Sequence, residues 1–161
     1  MQIKDKYNQG RTVVSFEVFP PKKGSGTLES ITSTLDCFSK MHPDFISVTY
    51  GAGGTTTGKT CEIAGSVKNE FGIESLAHLT CLTSTREDIE EVLERLKSNN
   101  VRNILALRGD YPNGMKPQGP RHFQHASDLL AYMSKNHGGD FCIGGACYPE
   151  GHVESASLRE D

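Results

Sequence analysis

Runs of β-branched and aromatic residues alternate with helical stripes along this chain, and each strand candidate begins about 30 residues after the last, the length of one βαβ step. TVVSFEVF (12–19) opens the series and is closed by Pro20-Pro21, which cannot continue a central ladder. Residues 27–41 follow, with Leu28, Ile31, Leu35 and Phe38 on one helical stripe. DFISVTY (44–50) is the second strand, and a Gly-rich turn leads into a helix over 57–71. ESLAHLTC (74–81) is the third. The next helix is the best marked: Ser84 and Thr85 offer N-caps, Glu87 and Asp88 complete a capping-box pattern, and Ile89, Val92, Leu93 and Leu96 form one apolar face. RNILALRG (102–109) is the fourth strand, followed by a loop with Pro112, Pro117 and Pro120. A helix over 126–137, stopped by Gly138-Gly139, precedes the fifth strand, FCIGGACY (141–148). Such alternation predicts an α/β fold with a parallel sheet under helical cover, either doubly wound or a barrel.

The chain has 161 residues, enough for a single domain with its own core. A net charge of −3 with scattered basic residues argues against an electrostatic grip on nucleic acid or an anionic membrane. No apolar run approaches the ~20 residues that span a bilayer. The first residues, MQIKDKYNQGRTVV, lack the apolar stretch of a secretory leader, so a cytoplasmic protein is expected. Five cysteines, none in a CxxC pair, point to reduced and mostly buried thiols rather than a disulfide framework or a metal site.

Each predicted strand carries polar residues late in its run. The first has Glu17, the second Thr49 and Tyr50, and the third His78 and Thr80. The fourth ends in Arg108-Gly109-Asp110, and the fifth in Tyr148, with Glu150 and His152 beyond. In a (β/α) barrel the C-terminal strand ends converge, so these residues would share one mouth. Alternation in TVVSFEVF puts Val14, Phe16 and Val18 toward the helices and Glu17 toward the barrel interior. Burial there would raise the carboxyl pKa, as a general acid needs. The competing reading is a structural Glu bonded to a neighbouring strand. Gly109 would let backbone approach a ligand, or close an ordinary strand-end turn with a local ion pair between Arg108 and Asp110. His78 and Tyr148 could equally be a core histidine and a strand-end aromatic.

Gly53 to Thr60 (GGTTTGKT) matches the P-loop pattern, with a strand before it and a helix after it. Backbone N–H groups and Lys59 would hold phosphates, and Thr60 a magnesium ion. Against it, the motif follows the second strand, no later strand delivers a Walker-B Asp, and Glu17, His78 and Tyr148 stay unexplained. No GxGxxG fingerprint is present, so a nicotinamide would bind outside a Rossmann site.

SFEVFPPK (15–22), ISVTYGAGGTT (46–56), AHLTC (77–81), ILALRGDYP (104–112) and YPEGH (148–152) together resemble the ordered signature blocks of methylenetetrahydrofolate reductases. The resemblance covers nearly all of the chain from Thr12 onward. It implies a (β/α)8 TIM barrel with noncovalent FAD, reduced by NAD(P)H, which passes hydride to 5,10-methylenetetrahydrofolate and yields 5-methyltetrahydrofolate in a ping-pong cycle. On that likeness Glu17 is the general acid that opens the substrate's imidazolidine ring to a reducible iminium ion. Asp110 is the acid near flavin and pterin, whose charge tunes the flavin and favours the cation. Thr49, Tyr50, Ala52, His78, Arg108, Gly109, Asp110, Ala126, Tyr148, His152 and Asp161 match FAD contacts, and Glu17, Thr49 and Asp110 match substrate contacts. His125 departs from an aromatic that the family often has, and Gly58-Lys59 falls where it carries other charged residues.

Five strands are fewer than the eight of a barrel, which typically needs about 250 residues. The expectation is therefore the N-terminal portion of an FAD-binding barrel, with the later flavin and folate residues beyond Asp161. Two bare sheet edges would favour a homo-oligomer. A fragment that at most binds flavin, without turnover, is the alternative function class.

Overall fold

A computed structural model describes residues 1–21, 28–50, 57–111, 122–152 and 155–159. Among these the elements run α1 (Ile3–Tyr7), β1 (Ser15–Val18), α2 (Leu28–Ser39), β2 (Phe45–Val48), α3 (Thr57–Asn69), β3 (Glu74–Thr80), α4 (Arg86–Ser98), β4 (Asn103–Leu107), α5 (Ala126–His137) and β5 (Cys142–Gly145). Every pairing is parallel, and the strand order is β1-β2-β3-β4-β5. Right-handed crossovers between consecutive neighbours all put their helices on the same side. A doubly wound sheet would instead reverse its order part-way. The strand order thus selects the arrangement of the first five units of a (β/α)8 barrel.

Alternation explains the core. Val18, Val48, Ala77 and Ile104 lie in register across β1 to β4 and are all buried. Ile46, Leu79 and Ala106 join them on the same face. Against this face pack Leu35 of α2, Ala64 and Val67 of α3, Ile89, Leu93 and Leu96 of α4, and Leu129 and Met133 of α5. At the β1 edge, Phe16 stacks on Phe38 with ring centroids 4.5 Å apart. Asp44, just before β2, takes a two-pronged hydrogen bond from Arg11 and another from the Val14 N–H at 2.9 Å. These donors hold its carboxyl well below the usual carboxylate range and fasten the approach to β1.

The best-marked helix is built as the sequence predicts. Thr85 Oγ1 accepts the Asp88 N–H at 3.1 Å, and Asp88 Oδ2 accepts the Thr85 N–H at 2.8 Å. Two of the four orphan donors of α4 are thereby satisfied. Thr85→Ala is expected to lower stability by about 1 kcal/mol, read as an earlier chemical-denaturation midpoint with an unchanged slope. A midpoint equal to wild type would show that the box is dispensable.

Several boundaries differ from expectation. The first strand is Ser15–Val18 rather than 12–19, and the second Phe45–Val48 rather than 44–50. The fifth closes at Gly145 instead of Tyr148. The helix over 126–137 is found as predicted, but its stop is not a left-handed cap, since Gly138 keeps a helical φ of −59°. The short α1 went unforeseen. Its Ile3 is buried and its N–H donates to Asn103 Oδ1 at 2.8 Å, so α1 covers the N-terminal end of the sheet. All five thiols are free, yet only Cys61 and Cys81 are buried; Cys37 and Cys147 are exposed. Burial pushes both buried thiols up to about 11. No helix among the described residues is long and apolar enough to cross a membrane.

Candidate active site

The face of the sheet away from the helices brings Glu17, Ser47 and His78 together. Glu17 stands opposite Ser47 in the β1–β2 register, and Ser47 opposite Leu76 in the β2–β3 register. Its carboxylate nonetheless reaches His78, two residues farther along β3, with Oε2 3.4 Å from Nε2. Strand tilt produces this offset: side chains at one height in a staggered parallel sheet come from successively later positions. Ser47 Oγ donates to the same Oε2 at 2.9 Å. Three consecutive strands therefore meet at one carboxylate oxygen.

The burial expected for Glu17 is not found. Alternation assigned its face correctly, but the side chain is 45% exposed because nothing among the described residues covers that side. His78 is the desolvated member, with 12% of its side chain exposed. Burial lowers its pKa, and the nearby Glu17 charge only partly opposes this. His78 is accordingly neutral at pH 7. A histidine whose folded pKa lies below its unfolded 6.5 binds fewer protons folded than unfolded in the window between the two values. Stability should rise with pH across that window and fall on acidification below 6.5. Urea midpoints from pH 5 to 7.5 should show a shallower slope in His78→Gln than in wild type; parallel curves would contradict the assignment.

Arg108-Gly109-Asp110 follows β4 directly. Gly109 has φ +78°, and a Cβ built there would lie 2.8 Å from Thr80 Cβ. Only glycine fits this left-handed position against β3. Asp110 is exposed, Thr49 half-buried, and the Tyr50 ring packs against the core. The Thr49 N–H donates to the Val18 carbonyl at 3.0 Å, extending the β1–β2 contact past the strand end.

A second locus lies where β4 and β5 meet α5. A cavity of about 850 Å³ is lined by Arg108, His125, Ala126, Tyr148 and His152, with Leu107, Leu130 and Leu158 as apolar walls. The Tyr148 and His152 rings meet edge-on at 5.1 Å. Four of the predicted cofactor residues, Arg108, Ala126, Tyr148 and His152, thus share one cavity, and Glu17 and His78 share a separate contact. Glu17, His78, Thr49 and Asp110 are not among the residues that line the cavity. Ala52 and Asp161 lie outside the described residues, as do Gly53 to Thr56 of the P-loop match. In the rest of that match Lys59 Nζ donates to the Pro21 carbonyl at 3.1 Å, and the buried Thr60 hydroxyl to the Thr49 carbonyl at 3.1 Å. Those contacts tie α3 to the ends of β1 and β2, a local structural role.

The methylenetetrahydrofolate reductase family model matches residues 2–161. The chain belongs to the methylenetetrahydrofolate reductase family. It is 42% identical over 154 residues to methylenetetrahydrofolate reductase 2 of Schizosaccharomyces pombe, covering 94% of this chain and 24% of that protein. It is 39% identical over 153 residues to 5,10-methylenetetrahydrofolate reductase of Pectobacterium carotovorum, covering 95% of this chain and 49% of the relative. With the probable methylenetetrahydrofolate reductase (NADH) of rice it shares 38% identity over 161 residues, 99% of this chain and 27% of the relative. The chain thus spans between about a quarter and a half of the length of these reductases.

Ser47 escaped the sequence reading. DFISVTY reads as an apolar run whose polar residues begin at Thr49, yet the alternation that placed Glu17 also puts a hydroxyl two residues before Thr49 on the interior face. That parity was the available signal.

Proposed function

We propose that this site serves the flavin-dependent reduction of 5,10-methylenetetrahydrofolate to 5-methyltetrahydrofolate, with NAD(P)H as the electron source and Glu17 as the general acid. The observation that carries the reading is the Glu17 carboxyl on the open interior face, held by Ser47 and beside a neutral His78. Its exposure leaves room for a substrate to reach it, and a bound pterin would itself supply the desolvation that favours a protonated carboxyl.

The residues present fit a flavin nucleotide. The cavity of about 850 Å³ falls within the size range of cofactor sites. The N-terminal end of α5 opens on it at Ala126, where helix polarity favours a phosphate. Arg108 adds a fixed positive charge, and Tyr148 and His152 offer ring surfaces. Gly145 lines the cavity beside Leu130 and adds no side chain of its own to it. FAD bound at this locus would relay hydride from nicotinamide to folate. Arg108, Ala126, Tyr148 and His152 would hold it, with Thr49, Tyr50, His78 and Gly109 at the strand ends beside it. Asp110, exposed at the end of β4, would set a negative charge near the reacting rings and favour a cationic substrate.

The direct test is a pair of half-reactions on the whole protein. Anaerobic NAD(P)H should bleach the flavin absorbance, and 5,10-methylenetetrahydrofolate should restore it with formation of 5-methyltetrahydrofolate. A flavin that folate cannot reoxidise would overturn the proposal. Stoichiometric ATP binding by a flavin-free protein would favour the phosphate-loop reading instead.

A further inference from the structure

Among the described residues, the hydrogen bond and the ion-pair contact of the Glu17 carboxyl both fall on one of its two oxygens. Oε2 accepts the Ser47 hydroxyl at 2.9 Å and lies 3.4 Å from His78 Nε2. Ser47 is buried, at 7% exposure, while the Glu17 side chain is 45% exposed. The hydroxyl has one proton to give. Its other acceptor within reach, the Phe16 carbonyl, stands at 3.5 Å, the long limit of a hydrogen bond. The shorter, charge-assisted geometry takes the proton.

We propose that Ser47 is a positioning residue for proton donation by Glu17: it pins Oε2, assigns the transferable proton to Oε1, and stabilises the carboxylate left after transfer. This rests on the reading of Glu17 as general acid. When the proton leaves Oε1 for a ring nitrogen of the substrate, the O–H bond breaks, an N–H bond forms, and negative charge develops over the carboxyl. A donor already aimed at Oε2 meets that charge without reorganising. The burial of Ser47 in β2 keeps this donor from exchanging with water. His78, neutral and desolvated, adds no full positive charge that would hold the carboxyl permanently ionised. The arrangement thus assists the departure of the proton without an ion pair that would remove it beforehand.

The test is Ser47→Ala in the flavin-loaded protein, beside Glu17→Gln. Reoxidation of the reduced flavin by folate should slow about ten- to hundredfold, the size of one hydrogen bond to a charged group. The substrate KM and the rate of flavin reduction by NAD(P)H should stay near wild type. The pH at which the folate half-reaction falls away should move upward, since removing a donor to the charged form favours the protonated one. Ser47→Cys, which keeps a weak donor at similar volume, should recover part of the rate. In the double variant the losses should not add.

A wild-type rate and pH profile in Ser47→Ala, with Glu17→Gln inactive toward folate, would overturn the positioning role and leave the acid assignment standing. Equal loss of both half-reactions in Ser47→Ala and Ser47→Cys would reduce Ser47 to a packing residue and also overturn it. Full folate activity in Glu17→Gln would sink the acid assignment and this inference with it.

Discussion

Glu17→Gln is expected to slow folate reduction by about two to four orders of magnitude, the contribution of a positioned general acid, and to leave reduction of the flavin by NAD(P)H within about twofold of wild type. Glutamine keeps the shape and can still accept the Ser47 hydroxyl through its carbonyl oxygen, so the contact at 2.9 Å need not be lost. What it lacks is a transferable proton. Hydride transfer from nicotinamide to flavin requires no ring opening, and a group whose task is to open the folate ring is idle in that step. The dissociation of the two half-reactions is therefore more informative than the size of either loss. Stopped-flow absorbance of the flavin in each direction measures both. Equal loss in the two directions would mean that Glu17 supports the site's structure; no loss in either would remove it from the chemistry.

The second large effect is expected at Gly109. Its φ of +78° costs an L-residue about 1–2 kcal/mol. A Cβ there would also sit 2.8 Å from Thr80 Cβ and 3.1 Å from Thr80 Cγ2, too close without movement of β3 or of the turn. Overpacking of this kind costs about 1–3 kcal/mol more. Gly109→Ala should therefore destabilise the protein by about 2–5 kcal/mol, with a fall in the thermal midpoint and a displaced Arg108–Asp110 segment. The paired variant Thr80→Ser, Gly109→Ala should recover part of the steric component, because it removes Cγ2, but none of the backbone strain. A single Gly109→Ala variant with wild-type stability would show that the turn relaxes freely and that the glycine is not required by conformation.

Much of this architecture could be read from the chain because the local signals agree with one another. Ile89, Val92, Leu93 and Leu96 predict the buried face of α4, and Ser84 or Thr85 with Glu87 or Asp88 predicts its start; the face is found, and the start is built by Thr85 and Asp88. The strand alternation around Glu17 assigned the interior side correctly. What sequence could not supply was the neighbour. Thr12, Val13 and Val14 have strong strand preferences but no ladder partner in β2, where pairing begins at Ser15 opposite Phe45. Glu17 was expected to be desolvated because its face was known, while the cover over that face depends on the tertiary surroundings. The α1 helix, five residues long, has too few positions for periodicity to register. Its place is fixed by a bond from Ile3 to an asparagine a hundred residues away. The Glu17–His78 contact was hidden for a related reason: it arises from strand tilt, which no single segment encodes.

The identity of sequence order and spatial order in the sheet has a consequence for how the protein is made. Among the described residues each strand pairs only with those just before and after it in the chain. During synthesis, N-terminus first, β2, β3 and β4 find both partners in the strands adjacent in sequence, whereas in a closed barrel β1 waits for the last strand to emerge. Glu17, Ser47 and His78 all lie on the first three strands, so their mutual contacts can assemble once β3 has left the ribosome. The cavity of Arg108, Tyr148 and His152 needs both β4 and β5 and is completed later. The Glu17 carboxyl is thus set in place before the walls of the cavity.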